Sequence, residues 1–182
     1  MRNGKRSFAE AVFCLAAVAV ILLTFPGISH AYTYQNGEFS FQIECPQAPR
    51  QVVPVKSGDP GVALEFDSAP GNLNFWMVQV RQDSFVDPRK LSADEREKLL
   101  AELLKADYGS DKTCETATFV KVGKYEGVML LIRHEDKRLA ISMVQSDRGY
   151  YMLTLVGSLA DKETFGRNLQ LYKKGIATFQ TL

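Results

Sequence analysis

From Thr116 to Gly157 the chain reads TATFVKVGKYEGVMLLIRHEDKRLAISMVQSDRGYYMLTLVG. Four strand-like runs lie in it: Thr116–Val122, Gly127–His134, Arg138–Gln145 and Tyr150–Gly157. The links between them are only a few residues long, and links that short join antiparallel neighbours. The stretch therefore predicts a meander. Val128-Met129-Leu130-Leu131-Ile132 is apolar at every position, and Tyr151 to Val156 is interrupted only by Thr154, so these two strands predict cover on both faces. Leu139, Ile141 and Met143 make one large face of the third run. Ala140, Ser142 and Val144 make a smaller opposite face, against which a helix can approach closely.

Upstream, Phe39, Phe41 and Ile43 alternate with Ser40 and Gln42, the period of a half-buried strand, after an Asn36-Gly37 turn signal. Short extended segments are expected near Gln51–Val55 and Val62–Asp67, then a longer strand over Leu73–Arg81 with Trp76, Val78 and Val80 on one face. A helix opens at Ser92, where Glu95 completes a capping box. Leu99, Leu100, Leu103 and Leu104 supply its apolar face, and Gly109 is the expected stop. A second helix is expected from Asp161 to Phe179, with Phe165, Leu169, Tyr172, Ile176 and Phe179 on one face. The fold class is α+β: one antiparallel sheet meander flanked by helices.

The first 31 residues are of a different kind. Arg2, Lys5 and Arg6 precede fourteen residues, Val12–Phe25, in which only Thr24 is polar. Pro26-Gly27 follows, then Ser29-His30-Ala31. This is the order of a secretory signal peptide cut after Ala31. An uncleaved membrane anchor over residues 12–25 is the alternative, although a span needs about 20 residues. Of 182 residues, 46% hydrophobic, removal of 31 leaves a single domain of 151, residues 32–182. The whole chain carries 22 basic and 21 acidic side chains; the domain keeps 19 and 20, with no basic stripe. No nucleic-acid partner is expected.

An exported domain with two cysteines, Cys45 and Cys114, predicts a disulfide between them. It would close a loop of about 70 residues, worth about 4 kcal/mol in the chain-entropy view. Two free thiols packed as small hydrophobes are the other reading.

The order of elements resembles the PsbP-like/DcrB-like family over nearly the whole domain. The likeness lies in an aromatic strand running into a proline (GEFSFQIECP, 37–46), a central helix, a meander, and a last amphipathic helix ending in Ala177-Thr178-Phe179. Gln47 stands where that family usually has an aromatic residue. The resemblance implies an α/β/α sandwich and an extracytoplasmic or partner-binding role. Functions differ so widely within the group that the fold transfers none of them.

Chemistry is sparse. The domain's single histidine, His134, opens a His134-Glu135-Asp136-Lys137-Arg138 run in which Arg138 stands where a zinc protease needs its second histidine. This run reads as a charged hairpin tip. Either cysteine with His134 would supply a nucleophile and base, with nothing local to assemble them. Asp107 and Asp111 flank a turn, a weak cation-site candidate. Asp94, Glu95 and Glu97 are explained by the helix dipole, and Ser158 reads as a cap for the last helix. No catalytic residue, metal ligand or cofactor site is expected. The expected function is a non-catalytic exported accessory or binding protein of the bacterial cell envelope, periplasmic or secreted. Its unidentified envelope protein partner would meet the loops Lys56–Gly61, Ala69–Asn72 and Asp83–Leu91, the last carrying Phe85 and Arg89. Contact with a membrane would come only through an uncleaved N-terminal segment. The alternative is a carrier or enzyme for a small apolar ligand held between sheet and helix, motivated by Trp76, Tyr125, Tyr150, Tyr151 and Tyr172.

Overall fold

A computed structural model describes residues 31–55, 58–68, 74–109, 111–158 and 162–182. Residues 1–30 of the expected signal peptide, the whole Ala69–Asn72 loop, the start of the Lys56–Gly61 loop and Asp161 lie outside the described residues. Residues Ala31–Leu182 make one unit. In chain order its elements are β1 (Tyr32–Asn36), β2 (Phe41–Cys45), β3 (Gln51–Pro54), β4 (Gly61–Glu65), β5 (Asn74–Arg81), α1 (Ala93–Lys105), β6 (Lys112–Val122), β7 (Tyr125–His134), β8 (Lys137–Gln145), β9 (Tyr150–Ser158), α2 (Lys162–Ile176) and β10 (Gln180–Thr181).

The large sheet has the order β3-β4-β5-β9-β8-β7-β6, antiparallel throughout. Strands β6 to β9 form the meander that the short links require. The segment through α1 carries the chain from β5 to the far edge, and the meander returns it, so β9 lies beside β5. Strand alternation then sorts the apolar side chains into two clusters, one on each face. Met129, Ala140, Val144, Tyr151, Leu153, Leu155, Trp76 and Val78 pack with Phe165, Tyr172 and Ile176 of α2. Val128, Leu130, Ile132 and Met143 pack with Leu99, Leu100 and Leu103 of α1. The small face of β8 is where α2 sits: the Tyr172 hydroxyl lies 2.9 Å from Ser142 Oγ and donates to the Leu153 carbonyl at 2.7 Å.

Several expectations need correcting. Among the described residues there are two sheets, not one. β1, β2 and β10 form a separate three-stranded sheet in the α2 layer, with Phe41, Ile43, Cys45 and Phe179 in the core. The aromatic strand runs from Phe41 to Cys45 because the Asn36 side chain accepts the Phe39 N–H at 2.8 Å and holds residues 37–40 in a turn. The Ser92–Glu95 capping box is formed, with the Ser92 N–H donating to Glu95 at 2.8 Å. This helix stops at Lys105, not Gly109: Ala106 is already extended, and Gly109 sits in the next turn with φ +106°, its N–H given to Asp107 at 2.8 Å. The last helix ends at Ile176, and Phe179 reaches the core from the turn after it.

The expected bridge between Cys45 and Cys114 is replaced by two free thiols. Cys45 is buried in the cluster under α2, and Cys114 is half-buried in the cluster under α1. The large sheet lies between those layers, so its own backbone keeps the sulfurs apart.

Candidate interaction surface

The sheet ends that carry the β6–β7 and β8–β9 turns gather a connected set of polar groups. Gly123 and Lys124 turn the first hairpin, with Val122 paired to Tyr125. Gly123 has φ +58°, and a Cβ there would lie 1.8 Å from the Phe179 carbonyl oxygen, so only glycine fits. Its N–H donates to the Ile176 carbonyl at 2.9 Å, docking the hairpin tip on the C-terminal turn. In the second hairpin, Ser146 Oγ accepts the N–H groups of Arg148 and Gly149, both at 3.1 Å, which swings Asp147 towards Tyr125.

Asp147 is the hub of this end. One carboxylate oxygen accepts from the Tyr125 hydroxyl and from Thr181 Oγ1 at 3.0 Å; the other takes Lys124 Nζ at 3.0 Å. Hydrogen bonds from Tyr125, Lys124 and Thr181 hold the Asp147 carboxyl well below the usual carboxylate range. An open cleft of about 310 Å³ runs alongside, lined by Gly123, Lys124 and residues 177–181.

The loop before α1 adds cations stacked on rings. Asp87 accepts the Arg89 N–H at 3.1 Å and steers its guanidinium to 5.9 Å from the Tyr125 ring centre, where Lys124 Nζ also lies, at 5.1 Å. Arg96 makes two bonds to Glu126, 2.7 and 2.8 Å, and lies 3.9 Å from the centre of Phe119. Arg81 pairs with Asp59 at 2.7 Å and covers Tyr150 at 5.5 Å. Phe85 is stacked on Tyr150 at 5.3 Å and half-buried, so it packs inward, whereas Arg89 stays exposed. Burial pushes the Tyr150 phenol up to about 12. Surfaces rich in arginine and tyrosine are those that proteins use to meet each other.

The other residues singled out from sequence are scattered. His134 closes β7 before the Glu135-Asp136 turn, a hairpin tip as the sequence indicates. Cys114 pairs with Ile132 and His134 with Lys112, two positions apart on one edge, but the Cys114 thiol is given to the Thr116 carbonyl at 3.5 Å and burial raises its pKa. Burial pushes the Cys45 thiol up to about 12, so neither sulfur is held as a thiolate. Asp107 is occupied by its own turn, and among the described residues no group of three His, Cys, Asp or Glu side chains is placed to hold a metal ion. Ser158 ends β9. Trp76 and Tyr172 pack edge-to-face at 5.5 Å, with Phe66 at 5.2 Å from Trp76, in the core between sheet and α2. Tyr151 donates to the Phe39 carbonyl at 2.9 Å. Sequence reading passed over Lys124, Asp147 and Thr181. Each is an ordinary turn or terminal residue, and only the folded topology brings them together.

No family model and no curated protein matches the chain. Solved structures do. Cyanobacterial PsbP (CyanoP) from Synechocystis sp. PCC 6803 is 14% identical, with 87% of this chain and 96% of that one covered at a TM-score of 0.53. The protein of unknown function PA94 from Pseudomonas aeruginosa is 13% identical, with 80% and 94% covered at 0.40. A seven-stranded antiparallel sheet with one helix on each face, matched to CyanoP over almost its full length, gives this chain a PsbP-like fold.

Proposed function

We propose that this chain is a non-catalytic accessory or binding protein, exported to the bacterial cell envelope and released or periplasmic after cleavage near Ala31, that works through protein contacts. The observation that carries the reading is the turn end of the sandwich. Arg89 and Lys124 lie over Tyr125, and Asp147 ties both hairpin turns to the C-terminal strand. Its charged groups are engaged with one another and with the rings beneath them. The basic, apolar, small-residue order of residues 1–31 supports export. Among the described residues no helix is long and apolar enough to cross a membrane. On this reading the membrane is met only through residues 12–25, if they stay attached.

A photo-crosslinking side chain at Lys124, in intact cells, tests this. A discrete protein adduct from Lys124, and none from the same group at Lys98 on the solvent side of α1, is expected. No adduct at Lys124 across growth conditions overturns the reading.

A further inference from the structure

We infer that the half of the large sheet's α1 face that no described helix covers is a seat for a basic amphipathic helix of a partner protein. In register across the strands, Val53, Ala63, Met77, Thr154, Ile141, Leu130 and Ala117 form one row on the α1 face. Phe75, Val156, Leu139 and Ile132 form the next. α1 packs along β6, at one edge. On this face Leu130, Ile132, Thr154 and Val156 are buried, Leu139, Ile141, Met152, Met77 and Phe75 are half-buried, and Val53 at the far edge is 36% exposed. A sheet face meant for water carries polar side chains at these positions. This one carries Phe, Met, Ile and Leu, the composition of a contact surface. At its centre the buried Thr154 hydroxyl has no hydrogen-bond partner.

Width and charge define the occupant. From β5 to β8 is two interstrand steps, about 10 Å, which matches the diameter of one helix, about 10–12 Å with its side chains. At 100° per residue Glu97 falls on one flank of the apolar stripe of α1; on the other fall Glu95, which caps Ser92, and Glu102, which pairs with Lys98 at 3.9 Å. Across the strip, Asp59 and Asp83 surround Arg81, and Glu65 and Asp67 surround Arg50: four carboxylates to two guanidiniums. A second copy would bring the same acidic rim against itself. A helix with an apolar stripe between lysines or arginines fits both floor and rim, and the thioethers of Met77 and Met152 adapt to its side chains.

This inference rests on the reading of a protein-binding module but uses a different surface. The test is methyl NMR of the full chain with labelled methionines, titrated with a 14-residue Leu/Lys helical peptide and, separately, its Leu/Glu counterpart. The Lys peptide is expected to shift the Met77 and Met152 methyl signals and to leave Met129, on the opposite face, unmoved. Met77→Glu with Met152→Glu is expected to weaken binding at least about tenfold, while an unchanged Met129 signal reports an intact core. Unmoved Met77 and Met152 signals overturn the proposal. So do equal shifts from the Glu peptide, concentration-dependent shifts without peptide (self-association), or the same shifts from phosphatidylglycerol vesicles. A chain that crosslinks through Lys124 but shows no methionine shift fails here and leaves the turn-end reading standing.

Discussion

Tyr172 on α2 donates its hydroxyl to the Leu153 carbonyl on β9 at 2.7 Å, inside a fully buried layer. The same oxygen lies 2.9 Å from Ser142 Oγ, so one phenol satisfies groups on two adjacent strands. Burial raises the Tyr172 pKa, so it stays a neutral donor. Tyr172→Phe keeps the ring and removes the bond. The expected loss is about 1–3 kcal/mol, because Ser142 is left buried beside an apolar edge. Urea unfolding checks it; an unchanged midpoint would contradict the assignment.

Two glycines of α2 should respond in opposite directions to alanine. A Cβ at Gly175 would sit 2.6 Å from both the Glu44 carbonyl oxygen and the Trp76 ring, so Gly175→Ala is expected to cost about 1–3 kcal/mol. At Gly166 nothing lies within 4 Å, and Gly166→Ala is expected to gain about 0.5–1 kcal/mol from helix propensity alone. Thermal melts of the two variants distinguish these cases directly.

The cysteines should titrate as two thiols. Denatured without reductant, the domain of residues 32–182 is expected to react with two equivalents of thiol reagent. Folded, half-buried Cys114 should react before buried Cys45, whose thiolate form burial suppresses. A denatured count of zero would restore the disulfide.

Much of the fold is legible locally. The meander follows from its short links, the Ser92 cap from two side chains three apart, and the double cover of β7 and β9 from their unbroken apolar runs. The small sheet was not legible, because β10 is two residues long and finds β2 from the other end of the chain. Two residues have no periodicity, and a pairing that distant leaves no local pattern. The cysteine pair failed for a related reason. Cysteine parity says nothing about layers: Cys45 lies on the small sheet in the α2 layer, and Cys114 lies on the α1 side of the large sheet. The turn-end site escaped for the same cause: Tyr125, Asp147 and Thr181 come from three turns or ends that meet only in space.

Asp147 gives that site a pH signature. Its pKa is depressed in the folded state, chiefly by the bond from Tyr125 and next by Lys124. The contribution is therefore complete above the unfolded pKa, about 3.9, and declines as pH falls below it towards the folded value. Asp147→Asn is expected to be less stable than the native chain by a constant margin from about pH 7 to about pH 5, and the margin should shrink in more acidic solution. Urea midpoints at several pH values measure it; a margin that widens with acid would contradict the clamp.

The central claim, that the protein works through contacts at its turn end, is tested most directly by a photo-crosslinker at the exposed Ala177, which lines the cleft beside Lys124. In intact cells the account predicts one discrete protein adduct, lost when Lys124→Ala and Arg89→Ala are combined in the same chain. An adduct that survives those changes, or no adduct at all, would contradict it.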